Sequence, residues 1–215
     1  MYVHSTRTLP GPAALWASPR TTSDSNTDFY GTCDASHNTT WNARGITGWS
    51  YHLNGGAISW HCKAQALTAL SSTEAELIAV DSAVRELRYL HKLLGEFKQQ
   101  VSKRPTLLAQ DNLSTLTLCK STHFNARTKH ISLRYHHCGD QQRAGVVQLR
   151  YLPTASMTAD ALTKPLPRAA HQTHTAVLLG HQRLRWPDPP AEAACSVVEY
   201  SHSGARTDFV TLEGV

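Results

Sequence analysis

No apolar run in the chain approaches the roughly 20 residues that cross a bilayer, and the N-terminus lacks a charged head followed by an apolar stretch of signal-peptide length. Transmembrane and secreted classes are set aside on those grounds, no membrane partner is expected, and an intracellular setting, cytoplasmic or nuclear, is the expectation. No CxxC pair occurs among Cys33, Cys62, Cys119, Cys138 and Cys195, and their number is odd. Both facts argue against a disulfide framework or a zinc ribbon and suit a reducing compartment. Collagen-like and coiled-coil repeats are absent too. What remains is 215 residues, 40% of them hydrophobic, enough for one sizeable core and too few for several.

The net charge of +5 is moderate, but it is unevenly placed. Residues 26–168 carry sixteen basic and ten acidic side chains, whereas residues 169–215 carry three and five. The basic character belongs to the middle of the chain and points to a polyanionic partner. Pro10-Gly11-Pro12 and the Ser/Thr-rich stretch up to Thr27 read as a linker, and Pro187, Pro189 and Pro190 interrupt a C-terminal stretch without sustained periodicity. The organisation expected is a linker over 1–25, a domain over 26–168 and a poorly ordered tail over 169–215.

Within the domain the periodicity changes type several times. Strands are predicted at 28–35, 46–53 and 56–61, with Asn54-Gly55 as a strong hairpin signal between the last two. From Thr73 to Phe97 the apolar residues Leu77, Val80, Val84, Leu87, Leu90 and Leu94 recur at helical spacing. A strand at 106–110, a helix opening at Asp111-Asn112, a helix over about 127–143, a strand at 146–152 and a last helix around 157–163 complete the order. That order predicts an α/β domain, a mixed sheet with helices packed on it.

Four acids fall on four different elements: Asp34 in the first strand, Glu76 in the first turn of the long helix, Asp111 after the fourth strand and Asp160 in the last helix. Converging in one cleft, they would repel strongly, and divalent cations bound through oxygen are the usual remedy. Two Mg²⁺ ions roughly 3.5–4 Å apart could activate water and stabilise a leaving oxygen in phosphodiester cleavage. Each acid also has a local explanation. Thr73-x-x-Glu76 matches a capping box, Asp111 is a good N-cap, and Asp160 could be a solvated helix acid. Asp34 is the hardest to explain away, since a carboxylate inside a strand is costly if buried unpaired.

The strings Cys33-Asp34-Ala35, Gly55-Gly56-Ala57-Ile58-Ser59-Trp60, Ala69 to Ala79 (ALSSTEAELIA), Asp111-Asn112, Arg127-Thr128-Lys129-His130-Ile131, Arg134-Tyr135-His136 and Ala159 to Leu166 (ADALTKPL) closely resemble, in order and approximate spacing, the ribonuclease H domain of copia-type retrotransposon Pol polyproteins. The resemblance covers about Phe29 to Pro167. It implies an RNase H-like fold, with a five-stranded mixed sheet and helices on both faces, and metal-dependent endonucleolytic cleavage of RNA paired to DNA. It also implies that Asp34, Glu76, Asp111 and Asp160 are catalytic and bind two Mg²⁺ ions, or Mn²⁺. In the family pattern Asp34 bridges both ions, Asp160 serves the ion that activates water, and Glu76 and Asp111 serve the ion facing the leaving 3′-oxygen. Selecting RNA requires contact with its 2′-hydroxyl. Arg127, Lys129 and Arg134 are implied phosphate contacts.

Tyr2 to Leu9 is similar to the segment that closes the reverse transcriptase in such polyproteins, so the chain is expected to be a piece of a larger reading frame that lacks its polymerase portion. Departures from the family include Ser36-His37, where another acid is frequent, and the lack of a histidine between Tyr151 and Ala159. The competing expectation is a catalytically inactive retrotransposon remnant that at most binds nucleic acid. The cluster His130, His136, His137 and Cys138 lacks the paired spacing of a zinc site and reads as a polar helix face. No site is assigned to Trp41, Trp49 or Trp60, which pack cores more often than they stack on bases.

Overall fold

The structure, a computed structural model, describes residues 28–97, 105–120 and 132–186. The expected linker over 1–25, the basic residues Arg127 and Lys129, His130, and residues 187–215 of the expected tail lie outside these described residues.

Three strands open the domain: β1 (Phe29–Ser36), β2 (Ile46–Leu53) and β3 (Gly56–Ala64). Asn54 and Gly55, both at positive φ (53° and 93°), make the tight turn between β2 and β3, a conformation that Asn and Gly adopt at little cost. The helix α1 (Ser72–Glu96) follows, then β4 (Thr106–Gln110), α2 (Leu113–Lys120), α3 (Ser132–Arg143), β5 (Val147–Tyr151), a 3₁₀ turn (Thr154–Ser156), α4 (Asp160–Thr163) and α5 (Arg168–Leu178). The sheet is five-stranded and mixed, in the order β3-β2-β1-β4-β5. β1 to β3 pair antiparallel, whereas β1 with β4 and β4 with β5 are parallel.

Strand alternation sends successive side chains to opposite faces. Phe29, Cys33, Trp49 and Tyr51 join Leu77, Val80, Val84, Leu87 and Leu108 in the main core beneath α1. Each fully buried leucine there contributes about 1.5–3 kcal/mol. Tyr51 Oη donates to the Ala83 carbonyl at 2.7 Å, which fixes the helix against β2. The other face is polar. The Thr32 hydroxyl lies 2.9 Å from that of Ser50 and 2.9 Å from that of Thr158, and Ser50 Oγ lies 2.9 Å from His52 Nε2. These buried hydroxyls pair with one another and with His52 Nε2, and seat the segment leading into α4 on the sheet. Helices therefore cover both faces.

Two elements depart from the sequence reading. The helix expected around 157–163 is divided: a 3₁₀ turn precedes it, and only 160–163 are α-helical. Thr158 is drawn onto β1 by its hydroxyl, which breaks the run. Beyond the boundary expected at 168, α5 packs on α4 and β3 with His174 and Val177 buried, and the compact unit runs to Arg185.

Candidate metal centre

β1 and β4 run parallel with Thr32 opposite Ala109, so two residues further on both strands deliver a carboxylate to the same edge of the sheet. Asp34 lies near the end of β1, and Asp111 immediately follows β4. Glu76 comes from the first turns of α1, which begins above that edge. One oxygen each from Asp34, Glu76 and Asp111 lie within 4.8 Å of one another. The fourth acid, Asp160, opens α4 and is linked to the trio by a lysine. Lys164 Nζ stands 3.0 Å from Asp160 Oδ1 and 3.6 Å from Asp34 Oδ1. The structure thus brings all four sequence-derived acids to one place.

The local explanations for three of them fall away. Ser71, rather than Thr73, caps α1: its Oγ accepts from Glu74 N–H at 3.1 Å, and Glu74 Oε2 accepts from Leu70 N–H at 2.7 Å. Glu74 does the capping, and Glu76 is left for the cleft. Asn112, rather than Asp111, caps α2, with its Oδ1 accepting from Thr115 N–H at 2.9 Å. Asp111 Oδ2 instead accepts from the Thr154 hydroxyl at 2.7 Å. Asp160 is only 4% exposed, so it is no solvated acid.

The remaining contacts orient the carboxylates. Glu76 Oε2 accepts from Ala35 N–H at 2.9 Å and from Gln110 Nε2 at 3.2 Å. Thr163 Oγ1 donates to Asp34 Oδ2. Asp34 is 0% exposed, and its other oxygen, Oδ1, has no hydrogen-bond donor. Burial, followed by the charge of Asp160, pushes the Asp34 carboxyl up to about 6. Burial, then the charges of Asp34 and Asp111, pushes that of Glu76 to about 9. Asp160 is raised, chiefly by burial. Burial alone would lower Lys164, but Asp34 and Asp160 outweigh it and the ammonium is held above its ordinary value. Two buried carboxylates and a half-buried one, with an oxygen of Asp34 lacking a donor, form an all-oxygen set that could hold a hard divalent cation.

Sequence reasoning passed over three groups at this edge. Lys164 was legible as the i,i+4 partner of Asp160 on a predicted helix. Gln110 and Thr163 had no local signal, since Thr163 and Asp34 meet across 129 residues of sequence.

Asp81, His137 and Cys138 form a second group with donor atoms within 4.8 Å of one another. There Asp81 already accepts from His137 Nδ1 at 2.8 Å and pairs with Arg85 at 3.1 Å, with Arg134 Nε at 4.0 Å. Two guanidinium charges oppose a cation, and the group clamps α3 onto α1. Trp49 is buried and donates to Ser82 Oγ at 3.1 Å, whereas Trp41 and Trp60 are exposed. Among the described residues no helix is long and apolar enough to cross a membrane.

A mixed sheet in this order, with helices on both faces and acids gathered at the ends of its parallel strands, is an RNase H-like α/β fold. The chain is 38% identical over 125 residues to the retrovirus-related Pol polyprotein from transposon RE2 of Arabidopsis thaliana, a match covering 58% of this chain and 8% of that protein. It is 35% identical over 127 residues to the corresponding polyprotein from transposon TNT 1-94 of Nicotiana tabacum, covering 59% of this chain and 9% of the relative. No protein-family model matches. Among solved structures, LC11-RNase H1 isolated from compost aligns with a TM-score of 0.49 at 11% identity, over 63% of this chain and 92% of that one. The chain carries an RNase H-fold domain related to the copia- and Ty-type retrotransposon Pol polyproteins.

Proposed function

We propose that this domain hydrolyses the RNA strand of RNA/DNA hybrids, endonucleolytically and with Mg²⁺, within a retrotransposon polyprotein. The observation that carries the reading is the convergence of Asp34, Glu76 and Asp111 to within 4.8 Å, with Asp34 Oδ1 buried and lacking a donor. Asp34, Glu76 and Asp111 would hold one cation, and Asp34 with Asp160 a second. Cations there would supply an activated water and charge stabilisation at the phosphoryl group. The chain's own part is positional. Thr163 fixes one oxygen of Asp34, the Ala35 amide and Gln110 fix Glu76, and Thr154 fixes Asp111. Arg127, Lys129 and Arg134 are assigned to the phosphates on the strength of their charge and of the sequence resemblance.

Strand choice tests the proposal. Full-length protein is incubated with Mg²⁺ and a hybrid labelled on the RNA or on the DNA strand, beside single-stranded RNA and duplex DNA. Cleavage confined to the RNA of the hybrid is expected. Uncut hybrid, or equal cutting of duplex DNA, would overturn it.

A further inference from the structure

Lys164 places a positive charge where the proposed function requires a second cation. Its Nζ lies 3.0 Å from Asp160 Oδ1 and 3.6 Å from Asp34 Oδ1, two buried oxygens that no other side chain or backbone group hydrogen-bonds. The two acids are almost wholly buried, while the lysine side chain is 34% exposed. Its backbone is also constrained. The Lys164 N–H bonds the Asp160 carbonyl at 3.1 Å, closing α4, and its φ of −141° and ψ of 150° are the extended values that a following proline, Pro165, enforces. The ammonium is therefore held against both carboxylates by a one-turn helix and a proline stop. Among the described residues Glu76 and Asp111, by contrast, have no cationic side chain within 4.0 Å, and Asp34 faces only Lys164, at 3.6 Å.

We propose that Lys164 is a built-in counter-ion that occupies the second cation position, so that divalent ions load in order: the first among Asp34, Glu76 and Asp111, the second only by displacing the ammonium from Asp34 and Asp160. This rests on the reading of the four acids as a cation site. An ammonium and a divalent ion cannot share the same two oxygens, because their like charges repel at contact distance. The second ion therefore binds more weakly than the first, and Lys164 stabilises the acids until it arrives.

The test is a binding titration that needs no substrate. Mn²⁺ binding to metal-depleted full-length protein is followed by the electron paramagnetic resonance of the free ion, counting only the binding lost in Asp34→Asn. Wild type should bind one ion and then a second at least about tenfold more weakly. Lys164→Gln should tighten the second step at least about tenfold and leave the first within about threefold, whereas Lys164→Arg, which keeps the charge, should resemble wild type. A second readout in the unaltered chain guards against a misfolded variant: the Lys164 Cε resonance should move with the second ion and not the first. An unchanged second step in Lys164→Gln, or a Lys164 resonance that follows the first ion or neither, overturns the ordering. Absence of any Mn²⁺ binding that depends on Asp34 overturns the cation-site reading itself, so the two failures are distinguishable.

Discussion

At Glu76 the needs of the fold and of the proposed cation site pull in opposite directions. The carboxyl sits in the buried cleft among the acids, and its affinity for a proton rises from 4.5 to about 9. A carboxyl whose folded-state value lies above its unfolded value contributes stability below about 4.5, and that contribution is lost as pH rises towards 9. Asp34, raised from 3.8 to about 6, behaves alike over a lower window. Glu76→Gln keeps an oxygen to accept from the Ala35 amide and Gln110, yet carries no charge. Urea denaturation of metal-depleted protein at pH 8 should find this variant more stable than wild type by about 1–3 kcal/mol, with the difference vanishing near pH 4. A variant less stable than wild type at pH 8 would show that Glu76 does not bear this burden. Because cation binding must drive off the protons that these raised carboxyls hold, affinity for Mg²⁺ should increase with pH.

Among the elements, α4 is the one on which the site most depends and the one least legible in advance. The long helix α1 announced itself through Leu77, Val80, Val84, Leu87, Leu90 and Leu94, all of which are buried, and Asn54-Gly55 placed the β2–β3 turn correctly. Both signals are local. The short α4 has room for neither a periodic stripe nor a side-chain cap, and what holds it is contact with distant strands through Thr158 on Thr32, Thr163 on Asp34, and close backbone packing on Gly48. A Cβ at Gly48 would lie 2.5 Å from Thr163 Cγ2 and 3.2 Å from the Ala159 carbonyl, so any larger residue must push α4 off the sheet and carry Asp160 with it. Gly48→Ala should cost about 1–3 kcal/mol of stability by overpacking, and reduce hybrid cleavage at least about tenfold because small displacements at a reacting centre are expensive. Thermal melting and initial rates measured on the same preparation check this. Undiminished cleavage would mean that α4 does not set the geometry.

Across the whole molecule, the sequence singled out four acids before the structure showed how they meet. Composition alone reached only a basic chain with a single core. The ordered motifs carried the fold and the four acids, while Lys164, Thr163 and Gln110 stayed hidden because their roles arise from contacts between remote segments. The net +6 of residues 26–168 acquires a structural meaning beside this cleft: the body is basic enough to attract a polyanion, yet it gathers four acids at one sheet edge. On the proposed function, a domain so arranged would cut a phosphodiester only when cations balance those acids. The direct test compares the initial rate of RNA-strand cleavage in a labelled RNA/DNA hybrid for wild type and Asp34→Asn, each with Mg²⁺ and with chelator. The account requires cleavage by wild type with Mg²⁺ alone, reduced at least about a thousandfold in Asp34→Asn. Cleavage that persists in chelator, or proceeds equally in the variant, would contradict it.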